Sequence, residues 1–222
     1  MRKRSLVLGT LALVATAPPL FGQADAWQRK WYWGAQAGVY SYSDPLTGGR
    51  KFAYTAGGHW MITGKRSALY FAFDQIIFLD SARSAVIDPT ATATGGVRLV
   101  DFSRGRRIQA TIFAIPTDTK IQVMLGGGFA IHQITNGTPE VGTTATLQEI
   151  TSANDAVAQV DTKAFVVFAG GVQYRVGRWA VFANYNFVPS ARDFLLTSEQ
   201  HVLTAGVRYA LTSSHEDVTT ER

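Results

Sequence analysis

The sequence predicts an all-β fold, an eight-stranded antiparallel up-and-down β-barrel that crosses a membrane. Three observations predict it: segments that alternate apolar with small or polar residues, connections that alternate strictly between long and short, and tryptophans beside the short connections. A period of two places alternate side chains on opposite faces of a strand, one toward lipid and one toward the interior of a barrel. No stretch after the first 26 residues is apolar for long enough to form a spanning helix.

Composition restricts the class of protein further. The 222 residues are 46% hydrophobic and 12% aromatic, which excludes intrinsic disorder and is typical of one folded domain. The absence of cysteine excludes disulfides, a thiolate nucleophile and cysteine-ligated metal. The formal net charge of +5 would suit a nucleic acid or an anionic membrane surface, but three of the positive charges lie at positions 2 to 4. We therefore predict no nucleic-acid partner.

Residues 1–26 have the layout of a secretory signal peptide. The basic cluster precedes an apolar run over 6–17, and Ala24 and Ala26 supply small residues for cleavage after either one. A permanent membrane anchor is the alternative, but the run is shorter than the roughly 20 residues that a spanning helix needs. We predict a barrel over 27–211 and a polar periplasmic tail over 212–222.

Eight segments are predicted as strands. The clearest contrast is in 179–187, where Trp179, Val181 and Tyr185 alternate with Ala180, Phe182 and Asn184. The eight predicted strands are 32–42, 50–62, 67–78, 106–115, 120–133, 163–175, 179–187 and 200–211.

The connections alternate in length without exception. The short ones are 63–66, 116–119 and 176–178, and the long ones are 43–49, 79–105, 134–162 and 188–199. In an up-and-down barrel, all short turns then lie on one rim, as in bacterial outer-membrane barrels with short periplasmic turns. The acidic connection 134–162 is expected to be a mobile loop or extended hairpin arms, since nothing in the chain repeats at helical spacing.

An aromatic girdle is predicted beside the short turns. Tryptophan favours the membrane interface because its ring is apolar while its N–H needs water. The predicted girdle is formed by Trp31, Trp33, Trp60 and Trp179. A soluble, lipocalin-like barrel with these residues in its core is the alternative, but the opposite strand faces are too polar to enclose such a core.

The last strand resembles the C-terminal insertion signal of bacterial outer-membrane proteins, with Thr204, Gly206, Tyr209 and Leu211 at the four defining positions. The chain as a whole resembles the small eight-stranded outer-membrane β-barrel superfamily, which includes the OmpA transmembrane domain and the OmpX- and OmpW-like proteins. The resemblance implies a monomer in the outer membrane of a Gram-negative cell envelope. The partners it implies are outer-membrane lipid and the insertion machinery. It names no substrate, because fold analogy does not carry function.

The inward faces predict a polar network inside the barrel. Asp74 and Arg107 lie at similar heights on two strands of one hairpin, where they can pair, and Gln36, Asn184 and Arg208 add polar groups. Charges in a narrow lumen must be paired or hydrated. The network is interpreted as rigidifying the barrel, with an ion or solute path as the alternative.

The sequence predicts no catalytic, cofactor or metal site. His59 and His132 face inward near opposite ends, too far apart to share a metal ion, and the run Gly126–Gly128 does not open a phosphate-binding helix. Outward-facing His201 lies near Ser198 and Glu199, which leaves open a lipid A-modifying hydrolase. We therefore predict a structural or surface-interaction protein, with that hydrolase as the alternative and a narrow pore for small or hydrophobic solutes third. The extracellular partner is not identified.

Overall fold

The structure is a computed structural model that describes residues 29–117, 119–190, 194–196 and 198–213. It confirms the predicted fold class, a closed eight-stranded antiparallel barrel. The predicted signal peptide and the tail beyond Ser213 lie outside the described residues. The strands are β1 (Lys30–Ser43), β2 (Arg50–Thr63), β3 (Ser67–Ile87), β4 (Val97–Ala114), β5 (Ile121–Ile134), the two-residue β6 (Thr138–Pro139), β7 (Thr162–Val176), β8 (Trp179–Val188) and β9 (Gln200–Ser213).

All strands except β6 form the barrel wall. Each wall strand pairs with its neighbours along the chain, and β1 pairs with β9 to close the sheet. Three short connections (64–66, 115–120 and 177–178) lie on one rim, together with the start of β1 and the end of β9. We call this the short-turn rim and the opposite end the long-loop rim.

Burial alternates along the strands as predicted for a membrane barrel. In β8, Trp179, Val181 and Tyr185 are exposed on the outside, while Ala180, Phe182 and Asn184 are buried inside. The exterior is therefore apolar and the interior holds polar side chains, which is the reverse of a soluble barrel. This arrangement contradicts the lipocalin-like alternative.

The region predicted as loop 79–105 is mostly strand. β3 continues to Ile87 and β4 begins at Val97, so only residues 88–96, with a 3₁₀ turn at Thr92–Thr94, connect them. The pairing register shifts between Ile77 and Ala82. The phase of the inward positions changes in β4, where they are even-numbered up to Phe102 and odd-numbered from Gly105, so the predicted fourth strand began only at residue 106.

The connection 134–162 contains a helix that the sequence analysis missed. α1 (Leu147–Ala158) begins at Thr146, whose side chain accepts a hydrogen bond from the Glu149 amide while Glu149 binds back to the Thr146 amide. This capping box, Thr-x-x-Glu, is a readable signal for a helix start. No helix among the described residues is long and apolar enough to cross a membrane. At the other end of the chain, β9 runs two residues into the predicted tail, to Ser213.

Two inward glycines in β5 allow β4 to approach closely. A Cβ on Gly126 would lie 2.1 Å from the Ile112 carbonyl oxygen, and one on Gly128 would lie 2.0 Å from the Ala110 oxygen. Real Cβ atoms do not come so near to backbone oxygens, so these positions accept only glycine without a shift of the sheet.

We expect Gly128→Val to lower the free energy of unfolding by about 1–3 kcal/mol, the usual cost of overpacking a core. The new side chain would meet the backbone of β4 rather than a side chain that can move. Gly127→Val is the matched control, since its Cβ would point outward and lie 3.4 Å from the nearest oxygen, on Val167. Urea unfolding after refolding into detergent measures both. Equal stability of the two variants would contradict the assignment.

Candidate functional site: the lumen and its outer cap

The lumen has three layers between its rims. Near the short-turn rim lies the lower cluster, of Tyr32, Met61, Ala68, Tyr70, Ala72, Phe113, Ile115, Met124, Ala169 and Ala210. Near the long-loop rim lies the upper cluster, a larger apolar group that includes Tyr40, Tyr42, Phe78, Phe102, Phe165 and Val202. Between them lies the polar layer, which includes Gln36, Asp74, Arg107, Gln109, Asn184, Asn186, Thr204 and Arg208. The polar layer thus lies between two apolar clusters, and a further buried polar pair, Gln122 and Gln173, lies at the short-turn rim.

Asp74 and Arg107 form a buried ion pair in the polar layer. The two residues are direct neighbours across β3 and β4, and Arg107 Nη2 lies 2.6 Å from Asp74 Oδ2. Gln36 Nε2 donates to the other carboxylate oxygen at 2.6 Å, and the Tyr70 hydroxyl donates to Gln36 Oε1 at 2.6 Å. Both oxygens of the carboxylate are therefore hydrogen-bonded, which such a buried charge requires.

The other two residues of the predicted network lie apart from this pair. The Arg208 guanidinium lies 4.0 Å from the centre of the Phe182 ring, and its Nη1 is 2.7 Å from Met61 Sδ. Asn184 is buried on β8, where its side-chain oxygen has no hydrogen-bond partner among the described residues. The hydrogen bonds of the described residues therefore join Gln36, Asp74 and Arg107, while Arg208 makes other contacts.

A segment of the last long connection closes the mouth of the lumen. Phe194, Leu195 and Leu196 are buried in the upper cluster, and the Phe194 ring lies 5.2 Å from that of Phe165. The Ser84 hydroxyl holds the Leu195 carbonyl at 2.7 Å. We call this segment, together with α1 and the tip of the β3–β4 hairpin, the outer cap. The sequence analysis missed it, although three consecutive apolar residues in a polar connection are a signal of burial.

A buried carboxylate joins the hairpin to α1. Asp88 accepts hydrogen bonds from Arg98 Nε at 2.5 Å, from the Ser152 hydroxyl of α1 at 2.8 Å, and from the Thr90 amide and hydroxyl. Burial raises the pKa of the Asp88 carboxyl, but the hydrogen bonds from Ser152, Thr90 and Arg98 outweigh it and hold that pKa well below its usual range. The ionised form therefore stabilises the outer cap.

The predicted girdle residues lie on the outer surface beside the short-turn rim. Strand pairing places five aromatic residues in one continuous row across β3, β2, β1, β9 and β8: Phe71, Trp60, Trp33, Tyr209 and Trp179. Trp31 packs on Trp60 with ring centres 5.4 Å apart. The row covers five of the eight wall strands, so it is an arc rather than a full ring.

The four residues of the predicted insertion signal alternate between the two faces of β9. Thr204 is buried in the polar layer, and a Cβ on Gly206 would lie 2.1 Å from the Ala35 carbonyl oxygen. Tyr209 packs outside against Trp179 with ring centres 4.8 Å apart, and Leu211 is exposed on the same face. The glycine is thus needed at the seam where β9 meets β1.

The residues of the hydrolase alternative contact other parts of the structure rather than one another. The Ser198 hydroxyl is hydrogen-bonded with the Ser43 backbone, and His201 Nδ1 lies 2.6 Å from the Tyr185 hydroxyl. Glu199 pairs with Arg50 at 3.0 Å. In the described part of the chain, no group of three or more histidine and acidic residues is placed to hold a metal ion.

We expect Arg107→Met to lower the free energy of unfolding by about 3–5 kcal/mol, because it leaves Asp74 buried without its cation. The double variant Asp74→Leu/Arg107→Met should recover most of the loss, since it removes both charges. Urea unfolding in detergent measures both, with the outward Arg106→Met as control. A single-variant loss no greater than that of the control would show that water reaches the pair.

We expect the outer cap to stay ordered from pH 7 down to about pH 4. The folded-state pKa of Asp88 lies below the unfolded value of about 3.9, so its stabilisation is complete above that value and is lost only as the pH falls through the lowered pKa. A nitroxide on Gln148→Cys reports the order of α1 by electron paramagnetic resonance.

In this experiment Asp88→Asn should mobilise the label already at pH 7. Asp155→Asn, an exposed position on the same helix, should not. Mobilisation of the unaltered cap between pH 7 and pH 5 would contradict the role of Asp88.

Comparisons with known proteins bear on the fold alone. The sequence matches no protein-family model and no curated protein. Among solved structures, Neisserial surface protein A (NspA) is similar with a TM-score of 0.55 and 13% identity, over 82% of this chain and 97% of that chain. The N-terminal β-barrel domain of Pseudomonas aeruginosa OprF has a TM-score of 0.49 and 9% identity, over 83% and 98%. OprG from the same organism has 0.46 and 8%, over 84% and 98%. The predicted resemblance is thus confirmed at the level of architecture, since this chain has the fold of the small eight-stranded outer-membrane barrels.

Proposed function

We propose that the protein is an exported bacterial outer-membrane barrel with a structural or surface-interaction role, rather than an enzyme or an open pore. The observation that carries the proposal is the filled lumen beneath a folded outer cap. Phe194, Leu195 and Leu196 are buried at the mouth, and the Asp74–Arg107 pair is buried below them. Side chains that fill an eight-stranded barrel leave no continuous water column.

Several features support the outer membrane as the location. The exterior is apolar, the short and long connections lie on opposite rims, and the first 26 residues have the layout of an export signal. The likeness to NspA supports the same architecture. The long-loop rim is then extracellular and the short-turn rim periplasmic.

The outer cap is the part of the molecule suited to contact other molecules. A groove of about 800 Å³ runs between the hairpin tip and α1, lined by Ile87, Pro89, Leu147, Thr151, Asp155 and Ala156, among others. Ile87 is 83% and Leu147 is 84% exposed. Apolar side chains left this open on the part of a protein that projects from the membrane favour a surface-interaction role.

Planar-bilayer recording and mass spectrometry of lipid A separate the three functions. We expect no stable, large conductance from the purified protein, and no change in lipid A when cells produce it. Steady nanosiemens-scale channels would favour the pore. A new lipid A species that disappears in a His201→Ala variant would favour the hydrolase, and either result would overturn the proposal.

The orientation is testable because the chain contains no cysteine. We expect Thr144→Cys, exposed in the long connection before α1, to react with a membrane-impermeant maleimide on intact cells. Lys65→Cys, exposed in a short turn, should react only after the outer membrane is opened. The reverse pattern would invert the topology.

A further inference from the structure

We propose that the lower part of the polar layer is a binding site for a small inorganic anion, held by Arg208 and Arg175 with His59 beside them. The proposal concerns the lumen and does not depend on the surface role. It rests on a buried cation without a counter-charge, on neighbouring donors without partners, and on the register that places them on one row.

Arg208 is a fully buried cation with two unused donors. Its exposed fraction is 1%, and its Nε and Nη2 have no hydrogen-bond partner among the described residues. Its remaining contacts are weak acceptors: the Met61 sulfur at Nη1 and the Phe182 ring at 4.0 Å. An arginine side chain does not lose its proton in a protein, so the charge has to be balanced by an anion or by solvent.

The carboxylate of the polar layer does not supply this balance. Both oxygens of Asp74 are engaged by Arg107 and Gln36. In the described part of the chain, no carboxylate forms a salt bridge with Arg208 or Arg175. The lower part of the polar layer therefore carries an excess of positive charge.

Strand register places the donors on one row around the wall. Arg175 pairs with Ala180, Ala180 with Arg208, Arg208 with Gly34, and Gly34 with His59. The long side chains thus alternate with Ala180 and Gly34, over which they have room to converge. A Cβ on Gly34 would lie 2.4 Å from His59 Cε1, so the imidazole lies directly over that glycine.

The neighbours of Arg208 on this row also have unused polar atoms. Both ring nitrogens of His59 are buried without a partner, and so is Nη1 of Arg175. An imidazole carries at least one N–H donor in either protonation state. Donors from guanidinium and imidazole groups along one row of the wall are suited to an anion, whereas a water molecule would leave the positive charge unbalanced.

The packing restricts the size of the anion and its route. Met61 and Phe182 cover part of the Arg208 guanidinium, which favours a small anion such as a halide. Arg175 is only partly buried and lies one residue before the end of β7. It therefore links the row to solvent at the short-turn rim, from which the anion would enter.

Bromide is the probe, because it scatters anomalously and stands in for chloride. Crystals of the full barrel grown in sodium bromide should show an anomalous peak inside the lumen at Arg208. The midpoint temperature of unfolding in detergent should be higher in sodium bromide than in sodium gluconate at equal ionic strength, since gluconate is too large to enter. This rise should saturate with bromide concentration.

Two lumen variants and one control make the test specific. Arg208→Met should abolish the bromide-dependent rise and the peak, and Arg106→Met, which removes an outward, exposed arginine, should leave both unchanged. Arg175→Met, in which β9 is untouched, should weaken the rise if Arg208→Met does not fold. Peaks only at surface arginines would mean an adventitious ion only and would overturn the proposal. So would equal midpoints in the two salts, or a rise that the lumen variants retain.

Discussion

A backbone that crosses hydrocarbon must find every hydrogen-bond partner within the protein, and the rest of this structure depends on that constraint. An unpaired N–H or C=O in the membrane costs several kcal/mol, so a sheet that crosses it cannot keep a free edge. Here β1 pairs with β9 over most of its length, and the sheet closes. Closure of eight strands leaves a lumen only as wide as side chains can fill. The seam also forces Gly206 into its position, because the Ala35 carbonyl lies where a Cβ would be.

The narrow lumen then determines how its charges behave. A charge in the polar layer is shielded from water by the apolar clusters above and below it. A paired charge can stabilise the barrel there, whereas an unpaired charge lowers its free energy of unfolding. Asp74 is fully satisfied by Arg107 and Gln36. Arg208, in the same layer, contacts the Met61 sulfur and the Phe182 ring instead of a carboxylate. One barrel interior thus holds both a balanced pair and an unbalanced cation.

The outer cap lies outside the closed wall, and it contains a helix and loops as well as strands. Beyond the closed wall, β3 and β4 continue as a hairpin, α1 packs against it, and the segment Phe194–Leu196 folds into the mouth. Asp88 joins these parts through one buried carboxylate that receives donors from the hairpin and from α1. The wall therefore serves as a support on which the outer cap is built.

The sequence by itself determined the wall of the barrel, because alternation with a period of two depends only on neighbouring residues in one strand. It also placed Asp74 and Arg107 at one height, since each position can be counted from the short turn of its own strand, 63–66 for Asp74 and 116–119 for Arg107. The tertiary structure was needed for features that the local sequence pattern does not show or that depend on contacts between distant parts of the chain. The change of phase in β4 between Phe102 and Gly105 concealed the long hairpin, and α1 was missed although Thr146 and Glu149 marked its start. Which strands face each other across the barrel decides where Arg208 lies relative to the Asp74 pair. It also decides that the lumen is closed by Phe194, Leu195 and Leu196. No local pattern contains that information, because these contacts join residues more than a hundred positions apart or on opposite walls.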